Sequence, residues 1–277
     1  MNAREVGHAI RKFQNSISAR GIGGTVMLAG QRVMRRKSLV GSRVKEHPFD
    51  LHYGVHTHGP IDLWKDVDET SQYDAVAPSL FREACARWQA SIPPNSGGLE
   101  SYTFIDLGAG LGRALLLASQ FPFREVVGVE LGDSLVKVAL QNIGKWTACG
   151  HARCPINIVC QDALTYEFPA GPLVVFLDNP FGERITSQVL DHLLQRQVHD
   201  SSPIDIIYVY PKHASLLADD TKFELLSKDR ILYDQTDKDA DTFFRDGELC
   251  NWYRLVPRKE SSAAENSFSH DKDAALG

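Results

Sequence analysis

Chemistry concentrates first in Phe104-Ile105-Asp106-Leu107-Gly108-Ala109-Gly110-Leu111-Gly112-Arg113, an apolar run that enters a Gly-x-Gly-x-Gly turn and continues into a helical period. Glycines at such a turn permit positive φ and let a ligand approach the main chain where any Cβ would collide. A helix opening at Arg113 adds unpaired backbone N–H groups beside that ligand, and Asp106 supplies a carboxylate next to the turn. Further along, Val126-Val127-Gly128-Val129-Glu130 ends on a second carboxylate, which at a strand end can accept both hydroxyls of a ribose. Asp162-Ala163 and Asp178-Asn179-Pro180-Phe181 each close a later apolar run. Two sets of metal-type residues draw less weight. His52, His56 and His58, with Asp50 and Asp62, match no metal spacing and read as solvated loop groups. Cys149-x-His151-x-x-Cys154 with Cys160 has the look of a zinc half-site, but Cys160 is expected to point into a sheet, so no metal is expected.

The elements that must hold these residues alternate strand and helix, as a parallel sheet of βαβ units requires. Strands are expected at 102–107, 125–130, 156–160, 173–177 and 204–210, and helices at 113–120, 134–146 and 184–198. An earlier helix follows from the three- and four-residue spacing of Val76, Leu80, Phe81, Ala84, Cys85 and Trp88, and Pro93-Pro94 then Gly97-Gly98 end it. From His47 to Asp68 the chain has no clear period and reads as an irregular segment packed over something. Residues 222–233 and 242–257 lack a helical period between two apolar stretches and read as a hairpin.

Taken in order, Asp-Leu-Gly-Ala-Gly-Leu-Gly-Arg, Val-Gly-Val-Glu-Leu, Cys-Gln-Asp-Ala at 160–163 and the run ending Asp178-Asn179-Pro180-Phe181 resemble the successive motifs of class I S-adenosylmethionine-dependent methyltransferases, over roughly residues 70–257. The Phe-Leu-Asp-Asn-Pro-Phe-Gly form resembles a bacterial group within that class. The resemblance implies S-adenosyl-L-methionine as cofactor and an α/β fold: a Rossmann-like seven-stranded, mostly parallel, doubly wound sheet with an antiparallel C-terminal hairpin. It places Gly108, Gly110 and Gly112, with Asp106, around the methionine moiety, Glu130 on the ribose, and Asp162 with Ala163 at the adenine. Asp178 and Asn179 would face the transferred methyl and Phe181 the acceptor, while Tyr73 would belong to an N-terminal element covering the cofactor. In amino-methylating relatives an Asn or Asp is followed by Pro-Pro-aromatic. Here a single proline follows Asn179, a departure that puts an adenine or glutamine acceptor in doubt.

Two other readings stay open. An NAD-dependent oxidoreductase would use Gly-x-Gly-x-x-Gly, whereas the third glycine here comes one position early and Arg113 takes its expected place. A non-catalytic nucleotide-binding module would keep the same fold without turnover. Each residue also has a plain structural reading, glycines as turn formers and strand-end carboxylates as solvated groups; it is their joint order that favours the cofactor.

The 277 residues allow one large domain with extensions. Residues 1–45 carry ten Lys or Arg and one acid, a local +9 against a total of −5, so a basic arm precedes an acidic body. Such an arm is a candidate contact for nucleic acid or another acidic partner. An Arg-rich start also resembles an import leader, yet Gly21, Gly23, Gly24 and Gly30 interrupt any long amphipathic helix. The expected organisation is a basic extension over 1–45, a helical or lid segment over 46–100, the cofactor-binding domain over 101–258 and a disordered tail over 259–277. Five scattered cysteines argue against a disulfide framework, and a soluble cytoplasmic protein without a membrane span is expected, acting on an unidentified methyl acceptor.

Overall fold

The computed structural model describes residues 46–58, 75–94, 97–240 and 247–256. The N-terminal arm, Tyr73 and the tail beyond residue 258 lie outside these, so the expectations placed on them do too.

The sheet has seven strands: β1 Thr103–Leu107, β2 Glu125–Glu130, β3 Ile156–Cys160, β4 Leu173–Asp178, β5 Ile204–Val209, β6 Phe223–Ile231 and β7 Glu248–Leu255. Their spatial order is β3-β2-β1-β4-β5-β7-β6. The first five pair in parallel, and β7 runs antiparallel to both β5 and β6. This is the expected Rossmann-like sheet. Strands β1 and β4 are neighbours although the chain leaves β1 toward β2, so the order reverses between them. In open α/β sheets a ligand binds at such a switch point, outside the carboxyl ends of the strands.

Successive residues on a strand face opposite ways. Phe104, Val126, Val174 and Phe176 therefore enter one core, while Ile105, Val127, Val175 and Leu177 enter the other. Helices α1 Pro48–Tyr53, α2 Pro78–Ala90, α3 Arg113–Ala118 and α4 Asp133–Ala148 contribute Phe49, Trp88, Leu115 and Trp146 to the first core. Helix α5 Glu183–His199 contributes Val189, Leu190 and Leu193 to the second. Helix α2 is pinned to the sheet by polar contacts as well. The Trp88 indole N–H donates to Asp205 at 2.8 Å, and the same buried carboxylate accepts two bonds from Arg254, at 2.7 and 2.9 Å.

Two expectations need correction, and a third, the antiparallel C-terminal hairpin, holds with a longer connection. The segment after His47 is not irregular throughout: Pro at its first position and His47 as N-cap start α1, which Gly54 ends with φ 64°. The two C-terminal strands are joined through a short helix, α6 Gln235–Ala240, whose Asp237 accepts the Ser79 N–H at 2.8 Å and so caps α2 from a distance. Cys160 does not point into the sheet. It is exposed because β3 is an edge strand, and among the described residues no three His, Cys, Asp or Glu converge as metal ligands.

Candidate cofactor site

The carboxyl ends of β1, β2, β3 and β4 lie along one edge of the sheet, since those strands are parallel and adjacent in register. Most of the residues singled out in the sequence meet there. The turn after β1 carries Gly108, Gly110 and Gly112 at φ 81°, 54° and 87°, left-handed values that other residues adopt only at a cost. Gly108 also has no room for a side chain. A Cβ on it would lie 2.7 Å from the Cβ of Pro180, so the turn after β1 touches the exit of β4 across the switch point.

Glu130 sits at the end of β2 and grips the turn. One carboxylate oxygen accepts the Gly110 N–H and the other the Gly132 N–H, both at 2.8 Å. Each oxygen retains a second acceptor site, so the same carboxylate can take ribose hydroxyls while shaping the loop. At the end of β3, Gln161 N–H bonds to the Glu130 carbonyl at 2.9 Å, which brings Asp162 and Ala163 beside β2. The Asp162 side chain is exposed and caps its own turn through the Leu164 N–H at 2.9 Å, and Ala163 is buried beneath it.

Asp106 is 5% exposed. Its carboxyl is pushed well above the usual carboxylate range, first by burial and then by the negative charges of Asp178 and Glu130. Three carboxylates from three strands therefore crowd one end of the sheet. That arrangement disfavours another anion and suits a cation.

At the exit of β4, Asp178 is half-buried and Asn179 is 5% exposed with φ 44°. Phe181 is half-buried and packs onto the second core. The next strand leaves in the same way. Asp178 pairs with Val209, so Asn179 and Tyr210 follow side by side, and Tyr210 has φ 46°. These are the two non-glycine residues with positive φ among those described. Tyr210 is 46% exposed, and the Lys212 ammonium stands 4.5 Å from the centre of its ring.

Sequence reasoning missed a second layer behind the glycine turn. Arg113, at the first position of α3, is 1% exposed and engages Asp50 and Thr57, which are equally hidden. The one available signal was Arg113 standing where a dinucleotide fingerprint has glycine. Neither Asp50 nor Thr57 carries any local mark of it.

The strand order and the glycine turn at the switch point are those of an open, mostly parallel α/β sheet, a class of fold whose ligands bind at such an edge. No family model matches the sequence. A curated relative, the histone-lysine N-methyltransferase specific for lysine 79 of histone H3 from Drosophila melanogaster, is 29% identical over 75 residues, which are 27% of this chain. The matched stretch spans 4% of that protein's length. Among solved structures, a glycopeptide N-methyltransferase in complex with S-adenosylmethionine is 12% identical with a TM-score of 0.45, the match covering 68% of this chain and 90% of the other. A putative RNA methyltransferase from Pyrococcus horikoshii is 17% identical with a TM-score of 0.42, covering 78% and 98%.

Proposed function

We propose that the protein is an S-adenosylmethionine-dependent methyltransferase of class I, moving a methyl group to a nitrogen or oxygen of its acceptor. The observation that carries this reading is the contact of Gly108 with Pro180, 2.7 Å from a virtual Cβ. It sets a glycine turn of cofactor-binding type directly against the strand exit bearing Asp178, Asn179 and Phe181. The residues suit the cofactor. The glycines leave the backbone bare for the methionine moiety, Glu130 keeps acceptor capacity for ribose, and the crowded Asp106, Asp178 and Glu130 favour a ligand with positive charge. In this reading Asp162 and Ala163 border the adenine.

When bound, the cofactor supplies a methyl group activated on a sulfonium. The protein's own task is then alignment and exclusion of water, which account for most of the acceleration in such a displacement. Asn179, held at φ 44°, orients the acceptor atom with its side chain or adjoining carbonyls, and the half-buried Phe181 walls the acceptor. The Asn-Pro-Phe sequence in this position is the basis for placing the protein in the bacterial group named above. The basic arm of residues 1–45 adds an electrostatic term to acceptor binding.

A thermal-shift or denaturant comparison tests the reading. S-adenosylhomocysteine at a hundred times its dissociation constant should raise stability by about 2.7 kcal/mol, and NAD should not. Stabilisation by NAD alone would transfer the protein to the oxidoreductase reading. A tritiated-methyl assay on fractionated extract then decides between turnover and a binding module, and shows whether label enters protein, RNA or small molecules.

A further inference from the structure

Arg113 follows Gly112 directly, yet its guanidinium turns inward rather than toward the ligand edge. Its Nε donates to Thr57 Oγ1 at 2.6 Å, one terminal nitrogen to Asp50 Oδ1 at 3.4 Å, and the other to the Val76 carbonyl at 3.5 Å. Asp50, 2% exposed, accepts the N–H groups of Thr57 and His58, both at 2.9 Å, and also the Thr57 hydroxyl. Thr57 Oγ1 thus accepts from Arg113 while donating to Asp50. A second tie runs through Asn142 of α4, itself 1% exposed. Its Oδ1 accepts the His56 N–H at 2.7 Å, and its Nδ2 donates to the carbonyls of His56, at 2.8 Å, and Leu111, at 3.0 Å. Residues 56–58 are therefore fastened to the glycine turn at its middle, through Leu111, and at its exit, through Arg113.

Stability alone does not call for this arrangement. A buried ion pair adds little over apolar side chains of equal volume, because desolvation offsets the attraction; its attested use is to fix one register. The guanidinium fork sets direction as well as distance. With three partners on two segments, it ties the exit of the glycine turn to both.

We infer that residues 56–58, held by Asp50, Thr57, Arg113 and Asn142, are a strap that keeps the glycine turn in its ligand-ready form, with Arg113 as its positioning residue. The inference rests on the cofactor reading above. A turn ordered before binding spares the ligand that ordering cost, and by linkage the ligand must in return tighten the strap.

Calorimetric titration with S-adenosylhomocysteine, paired with hydrogen exchange of the amides at 56–58, tests it. In the wild-type protein the ligand should slow exchange at those amides. Thr57→Val keeps the shape but deletes the hydroxyl relay, and should weaken S-adenosylhomocysteine about tenfold. Thr57→Ser should restore the affinity. A Thr57→Val protein that melts lower but binds the ligand as tightly as wild type overturns the strap and leaves the cofactor reading standing. Wild-type exchange at 56–58 unchanged by saturating ligand does the same, without requiring any variant to fold. Wild-type protein that binds no S-adenosylhomocysteine overturns both.

Discussion

The edge of the sheet divides into two regions built on opposite plans. Around β1 and β2 the turn gets its left-handed backbone from glycines, and behind it lies a buried polar layer in which Arg113, Asp50 and Thr57 satisfy one another while Asn142 bonds the backbones of His56 and Leu111. Around β4 and β5 the left-handed positions belong to Asn179 and Tyr210, residues that carry side chains, and Tyr210 is 46% exposed. One region fixes a backbone and hides its side chains. The other accepts local strain, which tends to collect at functional sites, on residues that carry side chains, Asn179 buried and Tyr210 exposed. A ligand that never changes can be met by backbone shape, whereas an acceptor must be recognised by particular groups. Under the proposed function, the difference teaches that the donor edge should tolerate few substitutions for reasons of folding and the acceptor edge few for reasons of chemistry.

The most severe break of that contrast should come from Asp50→Ala, which leaves the Arg113 guanidinium buried without its carboxylate. A loss of about 3–5 kcal/mol is expected by denaturant unfolding; a loss below about 1 kcal/mol would show that the buried layer does not support the donor edge. Gly108→Ala comes next, combining a left-handed backbone with a Cβ at 2.7 Å from Pro180. It should cost about 2–3 kcal/mol and weaken S-adenosylhomocysteine more than any substitution at Phe181, and equal effects at the two positions would erase the distinction between the edges.

Asp106 sharpens the comparison through pH. Its carboxyl titrates higher in the fold than in the unfolded chain, by burial and then by the charges of Asp178 and Glu130. Between the two pKa values the fold holds more protons than the unfolded chain, so stability falls as pH rises above about 4, by up to about 1.4 kcal/mol per pH unit, and levels off above the folded value. Asp106→Asn should therefore flatten the stability profile and raise stability above that window while weakening the cationic ligand. Weaker binding without the flatter profile would mean that the buried carboxylate carries no such strain. The smallest effect on stability is expected from Asn179→Gly. Because asparagine tolerates the left-handed region, stability should change by less than about 1 kcal/mol, yet methyl transfer should fall about a hundredfold with cofactor affinity retained, as expected from misplacing a reactant by about 1 Å. Wild-type turnover would move the acceptor away from this strand end.

The parallel part of the fold was legible because each element carries its own period. Strands β2 and β3 fall where the apolar runs put them, Glu125–Glu130 and Ile156–Cys160, and the glycine turn announces itself by composition. Helix α1 spans six residues, Pro48–Tyr53, too few for a helical period to show, and α6 is equally short. The buried layer was hidden for another reason. Asp50 and Arg113 are separated by 63 positions, and Asn142 from His56 by 86. Such partners leave no local pattern, and a lone aspartate near histidines reads as solvated until the fold closes over it. Exposure of Cys160 was missed likewise, because nothing within a strand says whether it will stand at the edge.

The placement of β7 between β5 and β6 bears on how the chain acquires its shape during synthesis. Among the described strands β6, made before β7, pairs with β7 alone, so it has no strand to join until its successor emerges. Until then β5, buried along its whole length in the finished sheet, presents an open apolar edge of the kind that recruits strands from other chains. The outer third of the sheet must therefore close in one late event, with β7 entering between two waiting partners, and a nascent chain halted before Leu255 would be left with an edge that invites aggregation.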